Sequence, residues 1–276
     1  MESTTNAIEV GIVSDEISSD FVEAMHFASL WDVSIVEIRL LKSGRVPNVG
    51  KEDIEEVRQY IRRGDIRITA LSPGIFKHPL SKLNELEEEL NSALPRTIEM
   101  AKSLNASLII VFGFKREQDE PESHYNVAVN FLRRAASIAE RAGVKLAVEN
   151  EPGFWCDTGT NTRKIIDDVG SPVLGANWDP ANAYGTAETP YQDGYLAIKD
   201  RIFNVHVKDT RQGSLVQCVP VGDGVLDWDG QIRAIVHDKI VSHVTIETHC
   251  LPLIQNSQRN VGALRRMIRN VGAKTR

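Results

Sequence analysis

The stretch FNVHVKD (203–209) decides how this chain is read. Alternation at period two puts Asn204, His206 and Lys208 on one side and Phe203, Val205 and Val207 on the other. A strand that is apolar on one side and turns polar toward its end suits an α/β barrel. There the outer side packs under helices and the inner side opens at the C-terminal mouth. Residues 144–149, 172–179 and 244–247 share this shape, each running through apolar residues to a carboxylate. The expectation is that Glu149, Asp179, His206 and Glu247 converge on one spot.

Working outward, the chain alternates strand and helix about eight times, as a (β/α)8 barrel requires. Strands are predicted at 8–13, 34–40, 66–72, 107–112, 144–149, 172–179, 202–208 and 243–247. Helices are predicted at 21–30, 51–63, 83–104, 122–142, 162–169, 190–200, 228–237 and 254–270. Ser18, Ser19 and Asp20 are cap candidates for the first helix and Asp227 for the seventh. Gly64 and Gly143 end two helices, and Pro95 predicts a kink or break inside 83–104. An open doubly wound sheet would usually carry a glycine-rich turn, and neither GxGxxG nor GxxxxGK[ST] occurs. The fold expected is therefore a single (β/α)8 barrel spanning 1–276, with Met1 to Asn6 as a frayed tail.

Size and charge agree with this. A length of 276 residues is normal for one such barrel, and 42% hydrophobic residues supply its core. The net charge of −6 argues against a general nucleic-acid binder, which needs a basic surface. No apolar run approaches the roughly 20 residues of a membrane span. The first residues lack the basic and apolar regions of a signal peptide, so a cytoplasmic location is expected. Cys156, Cys218 and Cys250 are odd in number and widely spaced, which suits thiols rather than a disulfide framework.

Three carboxylates crowded at one mouth repel unless a proton or cation offsets them. Carboxylate oxygens with one imidazole suit Mn2+ or Mg2+, with Co2+ as a further fit, better than a thiolate-loving metal. Glu37 and Arg39 share one face of the second strand and are read as an internal pair or as contacts to a substrate hydroxyl. Lys208 is read as a catalytic acid or as a stabiliser of developing negative charge; its other partners would be Asp209 or Asp179. His249 lies two residues beyond Glu247 and is a substrate-contact candidate. His78, in a proline-bounded loop, is a candidate cover, and Trp155 and Trp178 are candidates for an apolar wall.

Six stretches carry a resemblance: VEIR (36–39), AVEN (147–150), NWDPAN (177–182), NVHVKD (204–209), VGDG with DW (221–228) and IETH (246–249). Together they resemble the xylose isomerase-like TIM-barrel superfamily, in its sugar isomerase and epimerase branch. That resemblance implies that Glu149, Asp179, His206 and Glu247 bind the metal, Mn2+ first. It implies that Glu149 and Glu247 act as an acid/base pair on opposite faces of a small sugar or polyol. It implies a homodimer or homotetramer as well. Asn182 stands where many relatives carry a substrate-contacting His, Glu151 and Asp157 are the acids near the place of the family's substrate-binding Glu, and Arg211 is near that of its Arg.

The activity implied is isomerisation or epimerisation by removal of a proton next to a carbonyl. The alternative is a metal-dependent dehydratase of a keto-inositol or dehydroshikimate-like substrate. Nucleic-acid repair would need more histidines at strand ends, and a non-catalytic binding barrel would not need this acid and imidazole set.

Overall fold

The computed structural model of the protein describes residues 8–213 and 217–274. The predicted tail, Met1 to Asn6, lies outside the described residues. Eight parallel strands form the barrel: β1 Glu9–Val13, β2 Ile35–Ile38, β3 Arg67–Leu71, β4 Leu108–Phe112, β5 Lys145–Glu149, β6 Leu174–Trp178, β7 Ile202–Val207 and β8 His243–Ile246. Each pairs with its sequence neighbours, and β8 closes on β1 through the register Val10 to Val244 and Ile12 to Ile246. The protein is a single (β/α)8 barrel.

The helices return the chain over the outside of the sheet. In order they are α1 Phe21–Leu30, α2 Lys51–Arg63, α3 Leu83–Glu88, α4 Leu94–Ser103, α5 His124–Ala142, α6 Gly159–Val169, α7 Pro180–Ala183, α8 Tyr195–Ile198, α9 Trp228–Asp238 and α10 Leu253–Lys274. Asp20 caps α1 by accepting from Val22 N and Glu23 N, and Asp227 caps α9 by accepting from Gly230 N. No helix among the described residues is long and apolar enough to cross a membrane. All three cysteines are free thiols.

Alternation along the strands divides the core. Outward residues such as Ile12, Ile38, Leu71, Val205 and Ile246 pack beneath the helices and are 0% exposed. Each such burial stabilises the fold by about 1.5–3 kcal/mol. The inward positions are polar toward the C-terminal ends.

Three local expectations need correction and one is met. Phe203 does not lie on the outer side with Val205. The β6–β7 register slips between Ala176 and Asn177, so Phe203 has no direct partner and its ring packs with Ala70, Leu108, Ile110 and Ala147. Gly175 makes the room, since a β-carbon there would meet the Phe203 ring at 2.5 Å. The interruption expected at Pro95 is present: the predicted helix 83–104 gives way one turn before it, through a π-helical turn at Glu89–Ala93. Proline offers no N–H to the carbonyl four residues back, so the preceding turn loosens.

Residues 190–200 form a π turn over Pro190–Gly194, the short α8 and a 3-10 turn over Lys199–Arg201. Extended backbone at Tyr191, inside that π turn, stops a regular helix. Trp178 is fully buried under the helices, where its Nε1 donates to Gln231 at 3.1 Å, because its neighbours Asn177 and Asp179 take the inward positions. It forms no pocket wall.

Candidate metal centre and its surroundings

Four consecutive strands, β5 to β8, place one candidate ligand each at the C-terminal mouth. Glu149 ends β5, Asp179 follows β6, His206 lies on β7 and Glu247 follows β8. One oxygen or nitrogen from each lies within 4.8 Å of those of the others, and all four residues are buried. His206 Nδ1 faces Glu149 Oε2 at 3.6 Å and Glu247 Oε2 at 3.7 Å. The sequence expectation of convergence therefore holds in space.

Each candidate ligand is oriented from behind. Asp179 caps the short α7, its Oδ1 accepting from Ala181 N and Asn182 N at 2.8 and 3.0 Å. The other oxygen, Oδ2, is buried and accepts no aligned hydrogen bond, though Lys208 Nζ lies 2.7 Å away. Asn150 and Asp179 exchange side-chain and backbone hydrogen bonds at 2.8 Å, which ties the end of β5 to that of β6. Asn182 Nδ2 donates to Glu149 Oε1 at 3.2 Å, and Asn177 Nδ2 to Glu149 Oε2 at 3.1 Å.

Glu37 takes His206 Nε2 at 3.0 Å and Asn204 Nδ2 at 3.3 Å. That contact leaves His206 Nδ1 as the nitrogen aimed at the carboxylates. Imidazole metal ligands are generally backed by a carboxylate in this way.

Lys208 and His206 face four carboxylates, Glu37, Glu149, Asp179 and Glu247. Lys208 Nζ bridges Asp179 Oδ2 and Glu247 Oε2, at 2.7 and 2.8 Å. Burial alone would lower the pKa of Lys208 and of His206. The carboxylates of Asp179 and Glu247 outweigh burial at Lys208, and those of Glu37 and Glu149 at His206, so both rise well above their usual values. Burial likewise pushes Glu247 up, but Lys208 and then His206 hold it well below the usual carboxylate range. At Asp179 burial wins over Lys208 and its carboxyl is raised.

The donor set fits a divalent cation. It offers three carboxylate oxygens and one imidazole nitrogen facing one another, with one of those oxygens lacking an aligned donor. A cation would add to the neutralisation that the Lys208 ammonium supplies.

The remaining sequence candidates fall at varying depth. Glu37 is 1% exposed and sits behind His206 rather than beside Arg39. Arg39 sends Nε and Nη2 to Asp15, Nη2 to Glu16 at 2.6 Å and Nη1 to Glu247 at 2.7 Å. His249 Nε2 joins the same cluster, 3.0 Å from Glu16 and 3.1 Å from Glu247. Burial opposes its charge, but Glu247 and Glu16 raise its pKa to about 9.

Glu151 pairs with Lys77 at 3.0 Å, and Lys77 Nζ also stands 3.9 Å over the Phe112 ring. Arg211 is exposed on the loop after β7. His78 is half exposed, 3.7 Å from Glu89. Trp155 is buried between Tyr125 and the Arg116 guanidinium.

Sequence reading missed Asn150, Asn177, Asp15, Glu16 and Arg45. Asn177 was detectable, since it shares the inward parity of Asp179. Asp15 and Glu16 follow β1 in a 3-10 turn at Ser14–Glu16, where strand periodicity no longer applies.

The comparisons add the family. No curated protein matches the chain. Among solved structures, a D-tagatose 3-epimerase-like protein superposes with a TM-score of 0.82 at 17% identity, over 98% of this chain and 100% of that one. The IOLI protein with a binding zinc atom gives 0.78 at 18% identity, over 97% and 99%. The probable 3-DHS dehydratase AsbF of Bacillus anthracis gives 0.78 at 15% identity, over 94% and 99%. At these identities the likeness is one of fold. The family model described as xylose isomerase-like TIM barrel matches residues 26–271, so with the closed barrel and its buried acid and imidazole cluster, this chain belongs to the xylose isomerase-like TIM-barrel family.

Proposed function

We propose that the chain is a divalent-metal-dependent isomerase or epimerase of a small sugar or sugar derivative. The observation that carries this reading is the set of four ligand atoms, from four adjacent strands, within 4.8 Å of one another. Glu149, Asp179, His206 and Glu247 would hold the cation, with Mn2+ as the preferred ion for an oxygen-rich set. The bound cation supplies Lewis acidity, polarising a substrate carbonyl and its neighbouring hydroxyl.

The chain's own residues do the rest. Glu149 and Glu247 come from strands three places apart and face each other across the cluster. One takes the proton next to the carbonyl and the other returns a proton from the far side. Asn182 steadies Glu149, while Arg39 and Lys208 steady Glu247, whose carboxylate Lys208 and then His206 keep charged. The D-tagatose 3-epimerase-like neighbour supports this reading at the level of fold.

A dehydratase is the second reading, and Lys208 is the observation that favours it. Its ammonium, 2.8 Å from Glu247, can give a proton to a departing hydroxyl after Glu247 has taken one.

The test is solvent deuterium exchange over a panel of ketoses, keto-cyclitols and hydroxylated cyclic acids. Deuterium entering next to a carbonyl with an epimer or isomer formed supports the first reading. An alkene product supports the second. No exchange with any member, by protein that holds metal, counts against both.

A further inference from the structure

Two arginines reach the mouth from the chain after β2, and they differ in their commitments. Four of the five N–H groups of Arg39 point at the carboxylates of Asp15, Glu16 and Glu247. The fifth, also on Nη1, is directed to the imidazole of His249, whose Nε2 lies 3.1 Å away. Arg39 is a clamp on the acids of the site and has no donor to give a substrate.

Arg45 is placed differently. It ends a small hairpin, Leu40–Leu41 with Gly44–Arg45, that folds over the ends of β2 and β3. Its Nη1 donates to Ser72 O at 3.1 Å, just past the end of β3. Its guanidinium lies across Gly74, with Nη1 3.6 Å and Cζ 3.9 Å from where a β-carbon there would sit. The hydrogen bond to Ser72 O is what holds the group at this edge of the mouth. Arg45 makes no ion pair among the described residues, so four N–H donors have no protein acceptor.

Partial burial, followed by the charge of Arg39, lowers its pKa, while Asp15, Glu247 and Glu149 act in the opposite sense. Arg45 therefore stands in the field of the same carboxylates that form the candidate centre.

The mouth is thereby polarised. Its β5–β8 side carries the acids that suit a cation. Its β2–β3 side carries an exposed guanidinium, held through Ser72 O and otherwise open. A neutral polyol would leave that fork to water. A carboxylate or phosphate would meet it with two charge-assisted hydrogen bonds.

We propose that Arg45 is a specificity determinant that takes an anionic oxygen group, a carboxylate or a phosphate, on the substrate of this mouth. The substrate class is then an acidic sugar derivative rather than a neutral sugar. This rests on the reading above that the mouth is the active site, and it deepens that reading.

The test is calorimetric titration of the Mg2+-loaded chain with inorganic phosphate, D-glucuronate and D-glucose, for the wild type, Arg45→Gln and Arg45→Lys. The expected result is that one anion binds about tenfold or more tighter than D-glucose. Phosphate and glucuronate identify which anion is read. Arg45→Gln removes the preference and Arg45→Lys retains part of it, with Mg2+ affinity unchanged in both. No anion preference in the wild type, or an undiminished one in Arg45→Gln, overturns the proposal. A wild-type chain that binds no Mg2+ defeats the reading of the centre itself, which is a separate outcome.

Discussion

Glu37 Oε2 lies 3.0 Å from His206 Nε2, and both side chains are 1% exposed. The two residues are 169 positions apart and meet only because the barrel closes. Their pairing selects which imidazole nitrogen faces Glu149, Asp179 and Glu247. Glu37→Gln keeps the shape but removes the charge that holds the ring. Metal affinity is expected to fall about 10- to 100-fold, with little loss of fold. Titration of EDTA-stripped protein with Mn2+ measures it; an unchanged affinity would detach Glu37 from the centre.

Lys208 contributes the opposite effect. Its ammonium neutralises Asp179 and Glu247 at 2.7 and 2.8 Å, where a bound cation would also act. Lys208→Met should destabilise the metal-free protein by about 3–5 kcal/mol, since buried carboxylates lose their partner. Added Mn2+ should then raise the melting temperature more than it does in the wild type. Equal Mn2+-induced shifts in the two proteins would contradict this.

Gly224 packs directly against the Asp209 carboxylate. Asp209 in turn accepts from the N–H groups of Thr210, Gly222, Gly224 and Leu226, which pins the loop after β7. A methyl group at 224 would displace both. Gly224→Ala is expected to cost about 1–3 kcal/mol by denaturant unfolding, and a neutral result would show that the loop yields freely.

His243 opens β8 and is buried, with its Nε2 unpartnered. Burial and then Arg67 lower its pKa from 6.5 to about 4. The folded state keeps this imidazole neutral while the unfolded chain takes up a proton below 6.5. Its contribution to stability is thus present above 6.5 and is lost as pH falls toward 4, by up to about 3 kcal/mol. His243→Asn should flatten the stability profile across that window. Parallel profiles for the two proteins would exclude the effect.

The barrel and its four candidate ligands were legible in the sequence because both depend on local parity. An inward position at the end of an alternating strand points at the mouth whatever the rest of the chain does. What depended on the register between strands was not legible. The slip at Ala176/Asn177 turned Phe203 inward, and nothing in FNVHV announces it. The partner of Glu37 was hidden because His206 reaches it only across the closed barrel, and that of Arg39 because Glu16 lies in the turn after β1, where no strand period applies. Arg45 was hidden by its hairpin, whose two-residue strands are too short to show a period.

The central claim is that Glu149, Asp179, His206 and Glu247 form one cation site. Calorimetric titration of EDTA-stripped protein with Mn2+ tests it most directly, in the wild type and in His206→Ala. The account predicts one ion bound per wild-type chain and at least a large loss of affinity in the variant. A folded wild-type chain that binds no Mn2+, or a variant that binds it equally well, would contradict it.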